Sequence, residues 1–190
     1  TTSSSTSTSK DSTRTLAVIE SDAKSVEKSV AALQETGDKS LFNEVTKTDE
    51  NGNKTTGYDT DAIYKAVKNF TDSYNSLIDE VGNSNTKSIL RAGASMVNVT
   101  EANRKSLSDI GISIGADNKL TIDEEKFKKT DMSKVKAMFA DSSYYGTEVK
   151  RQAGRAESYA KSEAAKANTY QKSGSYTYNY RTGELYNSTI

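Results

Sequence analysis

Apolar residues fall at Leu16, Ile19, Ala23, Val26, Val30 and Leu33. The steps alternate between three and four, the a/d stripe of a helix that packs along a narrow seam. Ser12 or Thr13 offers a side-chain oxygen to cap its start, and Gly37 offers a left-handed stop. A second stripe runs Ile63, Val67, Phe70, Tyr74, Leu77 and Val81, with Asp59 or Thr60 as its cap, Ile78 widening its face and Gly82 ending it. A third runs Val149, Ala153, Ala156, Ala160, Ala164, Ala167 and Tyr170 and predicts a last long helix over residues 147–171. Ala on a seam lets two helices approach closely but buries little, so this helix needs a partner in the same chain or another. A weaker helix covers residues 85–98, with Ile89, Leu90, Met96 and Val97.

Between the stripes the period shortens to two. Residues 45–58 are polar and Thr-rich, and Asn51-Gly52 at their centre predicts a type I′ hairpin with Leu41 and Phe42 anchoring its base. Residues 111–122 place Ile112, Ile114, Leu120 and Ile122 alternately around Asp117-Asn118, a second hairpin. Asp123 caps the helical turn that follows, whose apolar side is Phe127, Val135, Met138 and Phe139. The end of the chain alternates Tyr176, Tyr178 and Tyr180, then turns at Arg181-Thr182-Gly183, and reads as one more small hairpin. The predicted fold is mainly α, an elongated antiparallel helical bundle or coiled coil with one or two small β-hairpins. Residues 1–10 form a Ser/Thr-rich disordered lead-in, 11–174 a helical stalk-like domain, and 175–190 a Tyr-rich tail. The chain opens at Thr1 rather than Met, so an upstream segment is expected to have been trimmed.

Composition narrows the functions open to such a fold. The 190 residues include no Cys, His, Pro or Trp, and 26 basic residues balance 26 acidic ones. Absent Cys removes disulfides and thiolate chemistry; absent His removes imidazole bases and ligands, and with them Ser-His-Asp and Cys-His catalysis. Absent Pro fits long unbroken helices. Zero net charge argues against a nucleic-acid or anionic-membrane partner. No apolar run approaches the ~20 residues of a transmembrane helix, and no signal peptide is visible. At 33% apolar residues the core is thin, as suits a helical stalk.

Few residues point to chemistry. Asp123-Glu124-Glu125 could hold a hard cation, but a capped helix start explains the cluster. Asp117-Asn118 resembles half a calcium loop without the Gly and Glu that complete one. A carboxylate pair for glycoside hydrolysis is always available among 26 acids and carries no weight by itself. The Tyr run could be a stacking platform, though one packed strand face is the commoner explanation of alternating Tyr. Four Asn-x-Ser/Thr sites, at Asn53, Asn69, Asn98 and Asn187, are ordinary in a chain this rich in Ser and Thr. No catalytic, cofactor or metal site is expected.

Two segments resemble a known family. Residues 66–81 (AVKNFTDSYNSLIDEV) are similar to the helix with the pattern FV-x-x-YN-x-L in the bacterial flagellar filament-capping family, hook-associated protein 2. Residues 106–126 (SLSDIGISIGADNKLTIDEEK), followed by Val135 and Phe139, resemble that family's L-x-DIGI hairpin signature. The matching positions are Tyr74, Asn75, Leu77, Leu107, Asp109, Ile110, Gly111, Leu120 and Asp123. The resemblance covers roughly residues 61–149.

It implies a structural, non-enzymatic flagellar component: a helical stalk with a hairpin on its side, extracellular, exported without a cleaved signal peptide. Its partners would be flagellin, other flagellar axial proteins or its own copies. The family's head domains would lie where this chain has only residues 45–58, so the resemblance is to a headless or paralogous version. Assembly is expected along the outer stripes, Leu16, Ile19, Val26, Val30 and Leu33 with Val149, Ala153, Ala156, Ala160 and Ala167. The alternative is a secreted or surface adhesin that binds through the Tyr-rich tail.

Overall fold

The computed structural model describes residues 9–167. Helix α1 (Thr13–Leu33) leads through a 3-10 turn at Gly37–Lys39 to strands β1 (Glu44–Thr48) and β2 (Lys54–Tyr58). Helices α2 (Thr60–Gly82), α3 (Lys87–Ala102) and α4 (Arg104–Asp109) follow. Strands β3 (Ile112–Ile114) and β4 (Leu120–Ile122) come next, then α5 (Glu124–Lys129), α6 (Met132–Phe139) and α7 (Tyr144–Ala167). The fold is mainly α with two small antiparallel hairpins.

Four helices make the body. α1 packs between α2 and α7, and α3 packs against α7 and α2. Gln34 at the end of α1 donates to Thr147 at the start of α7 (3.2 Å), and Lys24 lies 3.7 Å from Glu157, so the two helices run antiparallel. Within the described residues the stripes turn inward: Leu16, Ile19, Val26, Val30 and Leu33 meet Ile63, Val67, Phe70, Leu77 and Val149 in one core. Each aliphatic side chain so buried contributes about 1.5–3 kcal/mol, and each Ala much less. Larger rings fill the space where α2, α6 and α7 converge. Phe70, Phe139 and Tyr145 meet edge to face, with centroids 5.1–6.1 Å apart.

Several boundaries differ from the sequence reading, each for a local reason. α1 ends at Leu33 with Gln34 as its C-cap, and Gly37 instead takes positive φ to open the 3-10 turn. The first hairpin is not closed by a type I′ turn, because Asn51 does not adopt positive φ. Asp49 accepts from the Gly52 amide and donates to the Asn53 carbonyl, with Gly52 alone left-handed, the pattern of a three-residue loop with a bulge. Helix α3 runs on to Ala102, beyond residue 98, and the region after Asp123 splits into α5 and α6 because Asp131 starts a new helix by capping Ser133. α7 begins at Tyr144 rather than at residue 147. Residues 1–8 of the lead-in, Tyr170 at the end of the third stripe, and the Tyr-rich tail at 175–190, with Tyr176, Tyr178 and Tyr180, lie outside the described residues.

Candidate assembly body and its motif clamp

The two outer stripes pack on each other. Leu16, Ile19, Val26, Val30 and Leu33 of α1, and Val149, Ala153, Ala156 and Ala160 of α7, are all buried at 1% exposure or less. The Ala stripe finds its partner within the chain, and contact with another chain would have to use the remaining faces of these helices. Ala167 closes α7, and its side chain lies outside the described residues. At one edge of this seam the packing turns polar. Glu27 of α1 lies beside Glu157 of α7, with Lys24 and Lys161 around them. The Glu27 Oε1 atom is buried without a donor. Burial first, and then the neighbouring Glu157, raise the Glu27 carboxyl to about 7. Burial also acts to raise Glu157, but hydrogen bonds from Lys161 and Glu27 outweigh it and hold Glu157 low. Burial and the second carboxylate thus make Glu27 the harder of the two to ionise, while the lysines around Glu157 favour its charged form.

Asp11 latches the start of α1. Its carboxylate accepts from Ser84 Oγ (2.6 Å), Thr86 Oγ1 (2.6 Å) and the Asn85 amide (2.5 Å), in the turn between α2 and α3. Burial alone would raise this carboxyl, but the hydrogen bonds outweigh it and hold it below the usual carboxylate range.

The residues that carry the sequence resemblance converge on the second hairpin. Asn75, exposed in part on α2, donates Nδ2 to the Leu120 carbonyl (2.8 Å) and accepts from the Leu120 amide at Oδ1 (2.7 Å). A side-chain amide thus stands in for a neighbouring strand and pairs both backbone groups of β4. Leu120, Leu107, Ile110 and Leu77 are buried in the core, and Tyr74 packs against Phe70 with ring centroids 6.0 Å apart. Gly111 has φ +88, and a Cβ there would lie 3.0 Å from the Phe127 amide nitrogen and 3.2 Å from the Asp123 carbonyl oxygen. Only Gly fits that approach. The Asp123 amide donates to the Gly111 carbonyl (2.8 Å) while its carboxylate caps α5 at Lys126 (2.9 Å). Lys128 then ties α5 to α2 through Asp61 (2.8 Å) and lies 5.1 Å from the Tyr64 ring centroid.

Two motif residues contribute less than their place in the pattern suggests. Asp109 is exposed and meets only Lys105, one turn away, at 3.2 Å. The Tyr74 hydroxyl is buried without a hydrogen-bond partner, and burial pushes it up to about 12. Among the described residues, no group of three acidic side chains could hold a metal ion, and no helix is long and apolar enough to cross a membrane. The sequence reading missed Asp11, Glu27 and Glu157, since a lone carboxylate ahead of a helix or on its polar face carries no periodic signal.

A family model described as flagellar hook-associated protein 2 C-terminus matches residues 82–189. That span begins where α2 ends and includes α3, the clamped hairpin and α7. No curated protein matches the chain. No solved structure matches it either.

Proposed function

Because the chain belongs to the family of the flagellar hook-associated protein 2 C-terminus, we propose that it is a structural part of the bacterial flagellum that assembles on axial filaments in the manner of a cap. The observation that carries this reading is where the family's residues go. Asn75, Gly111, Leu120 and Asp123 set a hairpin against a helix, a structural task rather than a chemical one. Apolar capacity goes mostly into helix packing, and the outward faces of α1, α3 and α7 are largely polar, with Leu90, Tyr144 and Tyr159 left exposed. The partners this favours are flagellin, other axial proteins or further copies of the chain, outside the cell.

Co-sedimentation of the full chain with filaments assembled from purified flagellin tests the reading. A cap-like component saturates at a level set by filament ends, so shearing the filaments should raise the bound amount in proportion to the new ends. A strictly monomeric chain in light scattering that stays in the supernatant at every filament concentration would overturn it. Binding that ignores shearing would exclude end-specific capping.

A further inference from the structure

Helices α3 and α7 enclose a groove of about 270 Å³ lined by Ser88, Arg91, Ser95, Gln152, Arg155 and Tyr159. Three features set it apart. Arg91 and Arg155 face it from opposite helices, and neither has a carboxylate partner among the described residues. Arg104 and Arg151 elsewhere each pair with a Glu three residues away at 2.5 Å. Gln152 lies at the bottom, 4% exposed, and its buried Oε1 has no hydrogen-bond partner. Tyr159 is one of the few large apolar side chains left exposed, at 38%.

These features ask for complementary things. Two guanidinium groups lining one groove without a carboxylate partner call for a carboxylate acceptor. A buried, unpaired carboxamide oxygen calls for a donor, and leaving it unmet costs about 1–3 kcal/mol. Sulfate or chloride has no hydrogen to give, and hydrogen phosphate has one but no apolar arm to lay against Tyr159. A peptide carrying an Asp or Glu has both: its carboxylate meets the arginines, and its backbone N–H meets Gln152. If the amide sits the other way round, its buried NH₂ meets a peptide carbonyl instead. Tyr159 supplies a rigid wall for the methylenes of that side chain, and Tyr and Arg are the residues that anchor protein interfaces. We propose that this groove binds an acidic peptide segment of a neighbouring protein chain. The identity of that neighbour rests on the flagellar reading above, whereas the recognition chemistry does not.

The test titrates the full chain into a fluorescein-labelled Glu/Ala peptide and follows anisotropy, with a Gln/Ala peptide and inorganic phosphate as comparisons. Saturable binding of the Glu/Ala peptide alone is expected. Arg91→Ala with Arg155→Ala should weaken it at least about tenfold. Lys136→Ala, on an exposed face of α6, should leave it unchanged. Gln152→Leu is the sharper probe: it removes an unpaired buried polar group, so it should raise the melting temperature while weakening binding. The proposal falls if wild type shows no saturable binding, if Lys136→Ala weakens it as much as the arginine changes, or if phosphate competes as well as the peptide. A chain that binds the peptide but never joins filaments keeps the groove and sinks the flagellar reading. A chain that joins filaments without binding the peptide does the reverse.

Discussion

The longer hairpin, β1–β2, pairs five residues on each strand, and neither strand buries a side chain. The shorter one, β3–β4, pairs three, with Ile112, Ile114 and Leu120 in the core. Strand length therefore does not decide which hairpin is structural. The difference lies in the face: Ile-Ser-Ile opposite Leu-Thr-Ile offers one apolar side, whereas β1 and β2 offer Val45 and Tyr58 among Thr and Lys. A two-stranded ribbon without an apolar face is marginal in water. Here it is held by its loop, its Thr46–Thr56 contact (3.0 Å) and its anchorage at Phe42, while β3–β4 is held by the rest of the protein.

This contrast can be broken at graded cost. Gly111→Ala should be the worst, about 3 kcal/mol, because left-handed strain adds to a clash with the backbone of Phe127 and Asp123. Urea unfolding reads it as a large fall in midpoint. Asn75→Ala should cost about 2 kcal/mol by orphaning both backbone groups of Leu120. In hydrogen exchange, the Leu120 amide should lose protection before α1 or α7 does. Gly52→Ala, with φ +82 and nothing within 4 Å, should cost only about 1 kcal/mol from strain, in a ribbon the bundle does not need. The global melting temperature should barely move. A loss at Gly52 equal to that at Gly111 would show that the ribbon is integral to the core.

Acid gives the smallest and most local test. Hydrogen bonds from the Asn53 side chain and amide hold the exposed Asp49 carboxyl below its ordinary value. A depressed carboxyl supports the fold above the unfolded pKa of about 3.9 and loses that support as pH falls through its own lower value. Amide exchange corrected for intrinsic rates should therefore accelerate in residues 44–58 below about pH 4 before it does in β3–β4.

The same contrast explains how much of the fold was legible. Long stripes and alternating faces are periodic, so α1, α2, α7 and both hairpins were readable, as was the exposed or buried fate of Ile112, Ile114 and Leu120. The closure of the Ala stripe onto α1 was not, since Ala at regular spacing specifies close approach without naming the partner. Nor was the Asn75–Leu120 clamp, which joins residues 45 apart through one amide. The resemblance marked both as important without giving the reason. The Arg91–Arg155 groove was hidden because its residues come from two helices and none stands on a stripe. Nothing in the structure explains Asp109.

The antiparallel pairing of α1 and α7 has a consequence for how the molecule could be extended. Residues 9 and 167 leave the bundle at the same pole, near the turn latched by Asp11, while β1–β2 projects from the pole at the far end of α1, about 30 Å away. A cargo inserted between Asn51 and Gly52 would be carried at one pole, and anything attached to either flank would trail from the other. The exposed ribbon is thus a splice point. The protein can be lengthened there without asking a single core residue to change its neighbour.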